Sequence, residues 1–143
     1  MVKNSRFKNT LGVFAELVIA AALDTEETSG VPMEPSVVTL SLGVGASPTE
    51  DDTVKFTFSN GKEAQYTVPG SATTAICNAG VKAALEAALA DVPGAAVHFT
   101  GTTTQVITIS APGADFNDVT VTTTETGSTF TAPSVGTFAG GVT

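Results

Sequence analysis

Tryptophan is absent from this 143-residue chain, and cysteine, histidine and tyrosine each occur once. The single cysteine, Cys77, excludes an intrachain disulfide and a cysteine-rich zinc site. The lone histidine, His98, leaves no His–His metal pair and no obvious base–nucleophile couple. Basic residues number only 6 against 14 acidic ones, which disfavours a nucleic-acid groove built from clustered Lys and Arg. No phosphate-binding glycine loop and no nucleophile-elbow sequence occurs. Charged residues make up only 14% of the chain, less than a protein living alone at high concentration usually carries. Burial against neighbours follows as an expectation, and enzymatic chemistry does not.

The charge that is present is unevenly placed. Lys3, Arg6 and Lys8 lie within the first eight residues, and the remainder carries 14 acidic against 3 basic side chains. Such a basic head is either a solvated terminus or a group that docks on an acidic surface, including that of a sister subunit. The apolar run Leu11–Leu23 that follows imitates a secretory signal, but Glu16 interrupts it and it is too short to span a bilayer. The segment is expected to be retained, with no membrane partner. Periodicity does not decide between helix and strand here. Residues 1–36 are therefore read as an arm and connector, with Phe14, Leu17, Val18, Ile19 and Leu23 as its assembly contacts. Pro32 and Pro35 keep the connector extended.

From residue 37 to 124 the pattern is that of one core domain. Val38, Leu40, Leu42 and Val44 alternate with small polar residues, as in a half-buried strand. The next two strands are joined at Ser59-Asn60-Gly61. A two-residue loop would put Phe56 and Phe58 on the opposite face from Ala64 and Tyr66. A three-residue loop pairs Phe56 with Ala64 and Val54 with Tyr66, so all apolar side chains share one face and Gly61 takes the left-handed position. A helix over about 71–92 is opened by Ser71, Thr73 or Thr74 and closed by Pro93-Gly94. Ile76, Val81, Leu85, Ala88, Leu89 and Val92 form its expected buried stripe, with Cys77 a small core residue. A second hairpin pairs Val97 with Ile109 and Phe99 with Ile107 across a loop at 101–105, leaving His98 outward. A strand from Val119 to Thr124 follows. The Gly/Thr-rich segment 125–143 is either a last strand or an extended tail. The fold class is thus α+β: an antiparallel sheet or sandwich of hairpins with one packed helix and an N-terminal arm.

Glu50-Asp51-Asp52 and Asp115/Asp118 are the only acidic clusters considered for calcium. Neither has the alternating ligand spacing of a dedicated loop, so both are read as turn residues and no cofactor is expected.

The ordered blocks Asp52-Thr-Val-Lys-Phe-Thr-Phe-Ser-Asn-Gly-Lys62, the Ala-Ala-Leu helix, Val97-His-Phe-Thr-Gly-Thr-Thr-Thr-Gln-Val-Ile-Thr-Ile109 and Ala111-Pro-Gly-Ala-Asp-Phe116 resemble a small structural module of tailed-bacteriophage virion proteins. The likeness spans about residues 37–124, roughly 60% of the chain, and similar modules occur in bacterial surface proteins. It implies a non-enzymatic virion protein, foremost a capsid decoration (cement) protein that forms a homo-oligomer, a trimer being expected, on the major capsid protein. A tail tube, adaptor or other tail component is the alternative within that class. A bacterial surface adhesion or carbohydrate-binding module is the alternative outside it. The resemblance carries no catalytic residues, and the arm has no counterpart in it.

Overall fold

The computed structural model describes residues 33–131 and 135–143. Among these residues eight strands and one helix follow in the order β1 (Ser36–Val44), β2 (Thr53–Phe58), β3 (Glu63–Thr67), α1 (Thr74–Ala88), β4 (Ala96–Gly101), β5 (Thr104–Ala111), β6 (Thr120–Thr126), β7 (Phe130–Thr131) and β8 (Gly136–Thr137). They form two antiparallel four-stranded sheets, ordered β4-β5-β1-β7 and β3-β2-β6-β8. The α+β class with antiparallel sheets and one packed helix is therefore observed.

Pleat alternation places the apolar sets of both sheets in one continuous core. Val38, Leu40, Leu42 and Val44 from β1 and Ile107 and Ile109 from β5 meet Val54, Phe56, Phe58 and Val121 of the other sheet. The register of the first hairpin is the one that unites these faces. Phe56 pairs with Ala64 and Val54 with Tyr66, while Phe58 donates its N–H to the Lys62 carbonyl at 2.9 Å. Gly61 has φ +97°, the left-handed conformation a three-residue loop demands. In the second hairpin Val97 pairs with Ile109 and Phe99 with Ile107 as expected. Its loop is tighter than the 101–105 expected, because Gly101 pairs with Gln105 and Thr104 continues the ladder to Gly43 of β1.

Helix α1 packs against β3 and β4, one strand from each sheet. Thr73 is its N-cap, its hydroxyl accepting from the Ile76 N–H at 3.2 Å. The chain leaves the helix at Leu89, whose N–H bonds the Leu85 and Glu86 carbonyls, and turns continue to Gly94. The helix is thus shorter at both ends than the 71–92 expected. Its core seam is Cys77, Val81, Leu85 and Leu89, each at most 3% exposed. Ile76 is a correction to the expected stripe: it is 47% exposed, because one residue step carries it about 100° around the helix from Cys77.

On the side away from the helix the chain passes from one sheet to the other. β7 pairs with β1, and β8 pairs with β6. Phe130 and Phe138 enter the core, with the Phe138 ring 6.2 Å from Phe58 and 5.2 Å from Phe116. The described residues of 125–143 thus include the short strands β7 and β8. Bridges Glu34–Val142 and Val37–Ala139 tie the segment before β1 to the same end.

Candidate interaction surfaces

Asp52 is the most heavily bonded acidic side chain among the described residues. One carboxylate oxygen, Oδ2, accepts from the Thr129 hydroxyl at 2.7 Å, the Thr129 N–H at 2.8 Å and the Ser128 N–H at 2.9 Å. The Thr129 hydroxyl in turn accepts from the Thr49 N–H at 2.8 Å. Hydrogen bonds from the Thr129 side chain, then the Ser128 and Thr129 backbones, hold the Asp52 pKa below its ordinary value. Asp52 therefore works as a clamp between the β1–β2 and β6–β7 connections. Its neighbours Glu50 and Asp51 stay exposed, as do Asp115 and Asp118. Among the described residues no group of three His, Cys, Asp or Glu side chains is close enough to hold a metal ion.

A cleft of about 420 Å³ opens where the first turn of α1 meets the tip of the β4–β5 hairpin, lined by Thr74, Asn78, Thr102 and Gln105 among others. The Thr102 carbonyl accepts from Asn78 Nδ2 at 3.4 Å and from the buried Gln105 amide. Thr74 donates to the Gly45 carbonyl at 2.9 Å. The lining contains no acid, base or thiol. Such a seam joins a helix to a hairpin, and its polar groups are hydroxyls and amides.

The outward faces of the two sheets differ in charge. On β4-β5-β1 the outward rows are Ala96–Ser110–Val37, His98–Thr108–Thr39 and Thr100–Val106–Ser41, with no Asp, Glu, Lys or Arg among them. Val106 is 43% exposed there. On β3-β2-β6 the rows are Thr67–Thr53–Thr126, Gln65–Lys55–Thr124 and Glu63–Thr57–Thr122. Lys55 and Glu63 form an ion pair at 2.9 Å on that face. Lys62 pairs with Asp91 at 2.6 Å and Lys82 with Glu86 along the helix. All three lysines among the described residues are thus engaged within the fold. The chain's other basic groups, Lys3, Arg6 and Lys8, precede it.

His98 is exposed on β4, as its alternation with Val97 and Phe99 required. Cys77 is fully buried, and burial pushes its thiol pKa up, so it stays protonated. The five assembly residues read from the sequence, Phe14, Leu17, Val18, Ile19 and Leu23, lie outside the described residues. Sequence reasoning did not find the partner of Asp52, because Thr129 lies 77 residues away and no local pattern announces it. No helix among the described residues is long and apolar enough to cross a membrane. The chain matches no protein family, no curated protein and no solved structure.

Proposed function

We propose that the protein is a non-enzymatic structural subunit of a tailed-phage virion, a capsid decoration protein that binds its own copies and the major capsid protein. One observation carries the assembly part of this reading: a whole outward sheet face, β4-β5-β1, bears no charged side chain on a chain of net charge −8. Copies of net charge −8 repel one another, so an uncharged sheet face is a place where close approach costs little. The virion part rests on the resemblance of residues 37–124 to phage structural modules. Sedimentation velocity together with negative-stain microscopy of the purified full chain tests it. Small discrete oligomers that bind expanded capsids support the decoration role. Stacked rings place the protein in a tail tube instead, and monomers at all concentrations overturn the assembly reading.

A further inference from the structure

Asn60-Gly61 is the only Asn-Gly step in the chain, and it sits at the tip of the β2–β3 hairpin with both residues exposed. The turn holds the Asn60 carboxamide in a particular direction. Its oxygen, Oδ1, accepts from the Lys62 N–H at 3.3 Å, so the side chain folds forward past the Gly61 peptide nitrogen. The same N–H polarises the carboxamide carbonyl and faces the oxygen on which charge would develop. Gly61 has no Cβ, and no more distant residue comes within 4 Å of where one would stand. The nitrogen is therefore unhindered for ring closure onto the side chain of asparagine, a thermolabile residue in water.

We propose that Asn60 is a self-modification site, which the chain converts to a mixture of isoaspartate and aspartate with water as the only co-reactant. The inference stands apart from the assembly reading above. The Gly61 nitrogen gives its proton to solvent base and bonds Asn60 Cγ. The Cγ–Nδ2 bond breaks, the nitrogen leaves as ammonia, and a five-membered cyclic imide remains. Water opens the imide at either carbonyl. Opening at the main-chain carbonyl gives isoaspartate, and opening at the side-chain carbonyl gives aspartate. Overall one water is consumed and one ammonia released, with no electron transferred. Either product adds a carboxylate to a chain of net charge −8.

One contact opposes the reaction. The Gly61 N–H donates to the Phe58 carbonyl at 2.9 Å and must be released before the nitrogen can attack. That brake is weak, because an exposed hairpin tip opens locally at far less cost than the whole fold. The other asparagines among the described residues are held harder. Asn117 is bonded through both ends of its carboxamide to the Gly141 backbone, at 3.0 Å each, and Asp118 follows it. Asn78 lies within α1 and is followed by Ala79. The product also matters to the fold. Isoaspartate adds one carbon to the main chain of the three-residue loop that sets the hairpin register, so the Gly61–Phe58 bond no longer closes as it does now.

The test incubates the folded full chain at mildly alkaline pH and then digests it with trypsin. Cleavage after Lys55, Lys62 and Lys82 puts Asn60, Asn78 and Asn117 into separate peptides. The mass gain of deamidation should accumulate in peptide 56–62 at least tenfold faster than in the other two, and as two chromatographic forms. The melting temperature should fall in step with the isoaspartate form. Asn60→Gln, whose longer side chain would have to close a larger ring, should show neither the gain nor the fall. A gain shared equally among the three peptides, or one found in 56–62 only when the chain is unfolded in guanidinium chloride, overturns the proposal. A melting temperature that falls as far in Asn60→Gln overturns the link to the loop.

Discussion

The ring of Tyr66, on β3, rests on the backbone of Gly80 in the middle of α1, at a place where any Cβ would fall inside the ring. The same ring meets Phe130 edge-on at 6.3 Å and 84°. Burial, and with it the hydrogen bond to Cys77, pushes the phenol pKa up. One tyrosine thus joins a strand of one sheet, the helix and the segment that crosses between sheets. The helix interior accepts glycine, a poor helix former, in exchange for that seat.

Two effects therefore compete in Gly80→Ala. Helix propensity favours alanine by about 1 kcal/mol, while overpacking against a ring costs roughly 1–3 kcal/mol. The ring is also held edge-on against Phe130, so the variant should be less stable than wild type in urea unfolding. Tyr66→Ala in the same chain should restore the propensity gain, making the pair clearly non-additive. An additive pair would remove Tyr66 from the argument.

Gly61→Ala should lower stability by about 1 kcal/mol or more, because alanine resists positive φ. No neighbour lies within 4 Å of the added Cβ, so the loss is purely one of backbone conformation. An unchanged melting temperature would contradict the three-residue loop.

Leu85→Ala should cost about 2–5 kcal/mol, as for a leucine removed from a packed core. Lys82→Ala breaks only an exposed pair with Glu86 and should change stability by well under 1 kcal/mol. Denaturant midpoints of the two variants check both the seam and its outward side.

For Asp52 the sign follows from linkage. Its folded pKa lies below the ordinary 3.8, so its contribution is fully present above that value and is lost as pH falls through the folded value. Asp52→Asn should lower the melting temperature at pH 7, and the deficit relative to wild type should shrink on acidification below about pH 4. The exposed Asp51→Asn should do neither. A deficit independent of pH would show that the carboxylate charge is not what holds Thr129.

Deleting residues 1–30 should leave a folded domain by circular dichroism, since the described residues that follow carry a hydrophobic core of their own. It should also weaken assembly. Burying the apolar run Leu11–Leu23 on a partner would contribute at about 25 cal/mol per Å², offset by the entropy of ordering a chain end. A truncated protein that unfolds makes this segment part of the domain. One that assembles normally leaves the uncharged sheet face to account for association.

What the sequence revealed divides along locality. The hairpin registers were legible because a one-residue slip would turn Phe56 and Phe58 away from Ala64 and Tyr66, and alternation alone forbids that. The strand with Val38, Leu40, Leu42 and Val44 was legible for the same reason. Ile76 was misplaced because alanines border the buried stripe on both sides, so the pattern does not show where that stripe stops. Pro93-Gly94 suggested a late helix end, whereas the helix already gives way at Leu89. The form of the segment after Thr126 could not be read at all. Its strands are two residues long, too short for any period, and they are fixed by partners such as Asp52 and Val121 far back in the chain. Asp52 looked like one of three turn carboxylates until Thr129 was beside it.

The crossing of the chain from β7 to β8 also sets an order in time. These strands are translated after all the others, yet one completes the sheet of β1 and the other the sheet of β6. Until they emerge from the ribosome, Phe130 and Phe138 are missing from the core and the Asp52 carboxylate has no donors from residues 128 and 129. The two halves of the fold then wait with their inner faces unsealed, a stage at which nascent chains are most prone to stick to one another. A chain truncated before residue 130 would be cut readily by proteases, and one released with both β7 and β8 in place would resist them.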